Sequence, residues 1–137
     1  MRIHTNLFWV FYLQDEEVRL DSDKCGKWMY FFNDKTFAAS ICQKAVEGGV
    51  VQEAKHSNAE SGVACFYIEC DDLPAHKRVI QFMLENNLIQ KTKAGKLFNI
   101  SFKLDDQTRA GEYGADFKSE IKLADFIDLY TGEWKNV

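Results

Sequence analysis

Three short apolar runs constrain the fold more than any other feature of the chain: residues 6–13 (NLFWVFYL), 28–32 (WMYFF) and 62–69 (GVACFYIE). Each is five to eight residues long, rich in aromatic or β-branched side chains and without helical period, so each reads as a strand covered on both faces. The opening stretch MRIHTNLFWVFYL lacks the small-residue cleavage site of a secretory signal and reads as part of the first strand.

Two other segments have the period of a helix. Asn33 or Asp34 caps the first, Phe37, Ile41 and Ala45 recur every four residues beside Ala38 and Cys42, and Gly48-Gly49 stops it. Asp71 or Asp72 caps the second, and Pro74 sits in its first turn, where a missing N–H costs nothing. Val79, Ile80, Met83 and Leu84 then line one face up to Asn86-Asn87. Residues 50–55 read as a short strand and residues 97–104 (LFNISFKL) as a longer one, while residues 121–129 fit either a strand or a short helical turn. The order β-β-α-β-β-α-β, with hairpin-length connections, predicts an α+β fold: a curved antiparallel sheet with two main helices packed on one face. The other face, expected to be concave, is left for a ligand.

With one proline, no repeat and no low-complexity segment, residues 1–137 are expected to form a single domain, and 46% hydrophobic content suffices for one core. A net charge of −4 gives no overall pull toward nucleic acid, so an anionic partner must meet a local basic patch. No apolar run approaches the roughly 18 residues that cross a bilayer, and no membrane partner is expected. Cys25, Cys42, Cys65 and Cys70 lie in or beside apolar stretches, which points to reduced thiols and a cytoplasmic location. Cys65 and Cys70 have no CxxC partner, the three histidines lack metal spacing, and no phosphate-loop, dinucleotide or nucleophile-elbow motif occurs. No metal and no cofactor are therefore expected.

Taken in order, GKWMYFFND, VVQEAKH and GVACFYIECDDLPAHKRVIQFMLENNL resemble the pattern of the translation initiation factor 4E fold. The chain also resembles the basophilic-leukaemia-expressed protein family, which is similar to that fold. The matching positions are Gly26-Lys27-Trp28, Ala54-Lys55, and Lys103, Asp105, Thr108, Gly111 and Tyr113. The resemblance covers roughly residues 6–113 and implies a phosphate-binding side built on Lys27 and Lys55. Glu53 stands where cap binders often have arginine, and the first apolar strand leaves no room for the loop that carries their first tryptophan. Methylguanine cap binding is therefore not expected.

Lys27 and Lys55, at strand ends, together with Arg109 can converge on an anion through charge-assisted hydrogen bonds; the same lysines also fit a solvated surface. The stretch FKLDDQTRAGEYGADF is open to the same two readings. Lys103, Thr108, Arg109 and Tyr113 offer donors around Gly111 and Gly114, yet Asp-Asp followed by glycine is ordinary turn chemistry. His56 joins the candidate set beside Lys55, and with Lys103 and Tyr113 it could form an acid–base grouping. Cys25, between Lys24 and Lys27, has the surroundings expected to lower a thiol pKa, while Cys42 and Cys65 read as core thiols. Trp9 and Trp28 read as core, and Trp134 as exposed or clamping the tail. Tyr30 or Tyr67 would offer a stacking platform if either faced the open side. Lys77, Arg78, Lys91, Lys93, Lys96, Lys103 and Arg109 form a basic stretch in sequence that suits RNA phosphates or a solvated face.

The expected function is a cytoplasmic binding module that takes a nucleotide, RNA or phosphorylated ligand on its sheet face. Two alternatives stand beside it: a protein–protein adaptor or inhibitor, for example a phage or accessory-genome anti-defence protein, and a phosphoester-directed enzyme on the same surface.

Overall fold

The computed structural model describes residues 1–105 and 121–136. Among them, six antiparallel strands form one open sheet: β1 (Arg2–Thr5), β2 (Trp9–Leu13), β3 (Cys25–Phe32), β4 (Glu53–Ser57), β5 (Gly62–Glu69) and β6 (Lys103–Leu104), in the order β1-β2-β4-β5-β3-β6. Two helices, α1 (Lys35–Glu47) and α2 (Leu73–Glu85), complete an α+β fold. Both start where a side chain satisfies an orphan N–H: Asp34 accepts from Phe37 N–H at 3.2 Å and Asp72 from Ala75 N–H at 3.1 Å.

Two strands expected from sequence are built differently. The N-terminal run is a hairpin, because Asn6 Oδ1 accepts from the N–H groups of Phe8 at 2.9 Å and Trp9 at 2.8 Å and turns the chain before β2. Within residues 97–104 only Lys103 and Leu104 pair with β3; Leu97 and Ser101 make single bridges to Lys91 and Lys122. The C-terminal segment takes the backbone groups a strand would need: Leu97 N–H donates to Leu129 O at 2.8 Å and Phe102 N–H to Ile121 O at 3.0 Å. That segment, left between strand and helix by its sequence, contains a short 3-10 turn, Leu123–Asp125.

Strand alternation divides the sheet residues between two faces. Val10, Tyr12, Trp28, Phe32, Ala54, Ala64, Phe66 and Ile68 join the core that the buried sides of α1 and α2 cover. Two buried histidines organise its polar centre. Trp28 Nε1–H donates to His76 Nδ1 at 3.0 Å, and His76 Nε2–H donates to Cys70 O at 2.8 Å. His56 Nδ1–H donates to Ser57 O at 2.9 Å, while its Nε2 accepts from the Tyr12 hydroxyl at 3.0 Å. These bonds hold both rings in one neutral tautomer, and burial lowers both pKa values below the ordinary histidine range.

Candidate functional site on the open sheet face

The residues between those core positions point to the other face. Register aligns them in rows: Lys103, Lys27, Tyr67, Glu53 and Leu13 follow one another across five strands, and Met29, Cys65, Lys55 and Phe11 form the adjacent row. Two lysines therefore stand directly opposite each other on β3 and β6. Burial, followed by the positive charge of Lys27, lowers the pKa of Lys103.

Lys27 is only 8% exposed, and its Nζ donates to Asp105 Oδ1 at 2.6 Å. Lys55 reaches across the face and rests its ammonium 3.9 Å from the centroid of the Trp9 ring, with Phe11 and Tyr67 each 5.7 Å away. Lys27 lies 5.8 Å from the same Tyr67 ring. Tyr67, Lys55, Glu53, Asp105 and Cys25 line a cavity of about 310 Å³. One wall comes from Val18, Leu20 and Ser22 in the segment between β2 and β3. That segment is tied down where Arg19 N–H donates to Gln52 Oε1 at 2.7 Å and Asp21 N–H to Glu69 Oε2 at 2.8 Å.

Burial keeps the phenol and the thiol of this face protonated. Burial raises the Tyr67 phenol well above its usual range, so it stays an O–H donor. Burial, then the carboxylates of Asp105 and Glu53, pushes the Cys25 thiol up to about 11. This reverses the expectation from its flanking lysines: Lys27 opposes the shift but is outweighed. Glu53 is raised by burial, with Lys55 pulling the other way.

Of the residues singled out in the sequence, Lys27, Lys55 and Lys103 share this face. His56 does not: it lies on the helix side of the sheet with both ring nitrogens engaged, so it is not a ligand contact here and forms no acid–base group with Lys103. Thr108, Arg109 and Tyr113 lie outside the described residues. Trp9, expected in the core, is half-buried on the open face, whereas Trp28 is fully buried. Tyr67 faces the open side and Tyr30 the helices, where its ring meets Phe37 of α1. The basic stretch divides, with Lys103 on this face while Lys77 and Arg78 belong to α2. Sequence reading missed Trp9, Asp105 and the segment between β2 and β3 as parts of the site. Strict alternation did carry one signal, since adjacent Lys55 and His56 cannot share a face of a strand. No helix among the described residues is long and apolar enough to cross a membrane. No protein-family model and no curated protein matches the chain.

Proposed function

We propose that the open sheet face binds the phosphate of a nucleotide, a short RNA or another phosphorylated ligand, in a reducing cytoplasm where the four cysteines remain free thiols. The observation that carries this reading is the Lys27–Lys103 cross-strand pair with Lys55 in the next row, on the face where Lys55 lines the cavity together with Asp105, the partner of Lys27. Like charges placed opposite each other on a sheet cost stability, and a bound anion relieves that cost. Trp9, half-buried on this face, supplies aromatic surface against which a base can stack. Asp105 and Glu53 set the selectivity: a phosphate must take Lys27 from Asp105, so the site favours a ligand with further contacts over a free small anion. The likeness to initiation factor 4E belongs to the same proposal, as a phosphate side without a methylguanine slot.

The test is a titration with AMP, GTP and a fluorescein-labelled short RNA, read by Trp fluorescence and anisotropy. Lys27→Ala, Lys55→Ala and Lys103→Ala should each weaken binding by about tenfold, the worth of one charge-assisted hydrogen bond. Asp105→Asn should strengthen it, and Arg109→Ala tests the residue proposed from sequence alone. Unchanged affinity in all three lysine variants, with a loss in the distant Lys44→Ala, would refute the site.

A protein-binding role has its own observation. Leu7 and Phe8 at the tip of the β1–β2 hairpin, and Phe31 on β3, are large apolar side chains left 66–79% exposed. A stoichiometric protein partner lost on Phe8→Ser, from a sample that binds none of the nucleotides, would support that role instead.

A further inference from the structure

We propose that a second cavity, in the helix layer rather than on the sheet, is a site for a small organic anion with an aromatic or apolar body. It lies between the end of α1, the outer side of α2 and the C-terminal segment, and its volume of about 550 Å³ falls in the range of small-ligand sites. Val50, Phe82 and the Trp134 ring make it apolar. Among the described residues of the lining stand the cations Lys77, Arg78 and Lys135 and the carboxylate Glu85. The described lining thus carries more cations than carboxylates in a chain whose net charge is −4.

The hydrogen bonds fix the apolar surface and leave positive charge in place. Trp134 Nε1–H donates to Gln81 Oε1 at 3.2 Å, and Gln81 Nε2 donates to Glu85 Oε1 at 2.9 Å. This relay holds the indole against α2 and engages Glu85, the carboxylate among the described residues of the lining. Arg78 Nε reaches Val50 O at 3.5 Å, a long bond, and Lys135 Nζ donates to Ala124 O at 2.6 Å. Among the described residues neither cation makes an ion pair with a carboxylate, but Lys135 lies within the field of Asp128, so Arg78 is the charge left most open to an incoming anion.

The same layout orients the ligand. α1 ends at this cavity, and the negative end of its dipole disfavours an anion beside Gly48 and Gly49. The acidic group therefore goes toward Arg78, and the ring lies along Trp134 and Val50. A guanidinium suits a carboxylate, sulfonate or phosphate through paired N–H donors.

The experiment uses two fluorescent probes of matched shape, anionic 1-anilinonaphthalene-8-sulfonate and uncharged N-phenyl-1-naphthylamine, on the intact protein. The anion should bind saturably and more tightly than the neutral probe, with energy transfer from Trp134 that Trp134→Phe removes. Arg78→Glu should weaken the anion at least about tenfold, Arg78→Gln less, and neither should change the neutral probe. Lys93→Ala, at an exposed lysine outside both cavity linings, should leave both probes unaffected. Equal affinity for the two probes, an Arg78→Glu effect under twofold, or weakened anion binding in Lys93→Ala would overturn the proposal.

Discussion

His56 and His76 make stability fall on mild acidification, and the fall has an upper limit set by the unfolded-state pKa. Both rings are buried and held neutral by two hydrogen bonds each, and burial lowers both folded-state pKa values. A histidine whose pKa is lowered on folding binds more protons in the unfolded chain. Its contribution is therefore complete above the unfolded value, about 6.5, and is lost as pH falls from there through the folded value. At about pH 5.5 each ring costs at most about 1.4 kcal/mol relative to pH 7.5, the limit for a ring still fully neutral in the folded state, and the two together at most about 2.7 kcal/mol. Protonating His76 Nδ1 also ends its bond from the Trp28 indole, so the charge cannot be accommodated without opening the core. Urea unfolding followed by far-UV circular dichroism from pH 7.5 to 5.5 measures the slope. His56→Gln and His76→Gln, which keep a donor and an acceptor but do not titrate, should each remove about half of it. Stability that is flat across that interval, or a slope that survives both substitutions together, would refute the assignment of these rings as buried and neutral.

Three further outcomes follow from local geometry. Gly26→Ala would place a Cβ 2.5 Å from the Phe102 ring and 2.6 Å from Lys103 O; it should cost about 2–3 kcal/mol in a urea melt and loosen β6, which carries Lys103. Asp34→Ala and Asp72→Ala should each cost about 1 kcal/mol by the same melt, because each leaves a helix N–H without its cap. Cys25, with its pKa pushed up from 9.0 to about 11, should be alkylated by iodoacetamide at pH 7.5 about a hundredfold more slowly than free cysteine, as read by peptide mass spectrometry; labelling at the rate of a free thiol would show that burial and the neighbouring carboxylates do not control it.

Much of the fold was legible because its signals are local. Gly62–Glu69 was bounded correctly by the polar loop before it and the Asp-Asp-Leu-Pro helix start after it. Both helices start and stop within a residue or two of the marks left by Asp34, Asp72, Gly48 and Asn86. The errors fell where a single side chain or a distant segment decides. Asn6 turns the chain inside an otherwise continuous apolar run, and residues 121–129 claim the hydrogen bonds that residues 97–102 would have spent on a strand.

The site was less legible for a physical reason that the strand order makes clear. In a strand apolar on both faces, alternation exists but leaves no mark, so the sequence of β2 cannot say whether Trp9 and Phe11 or Val10 and Tyr12 face the helices. The choice is made by pairing with β4, which sets Trp9 opposite Ser57 and Phe11 opposite Lys55. That pairing is itself non-local. β2 and β3 follow each other in the chain but lie apart in the sheet, with β4 and β5 between them. Lys27 and Lys55 come onto one face only because β5 pairs with both of their strands and presents Tyr67 between them. The residues were visible in the sequence. Their convergence depends on a strand order that brings together positions 28 residues apart for Lys27 and Lys55, and 76 apart for Lys27 and Lys103.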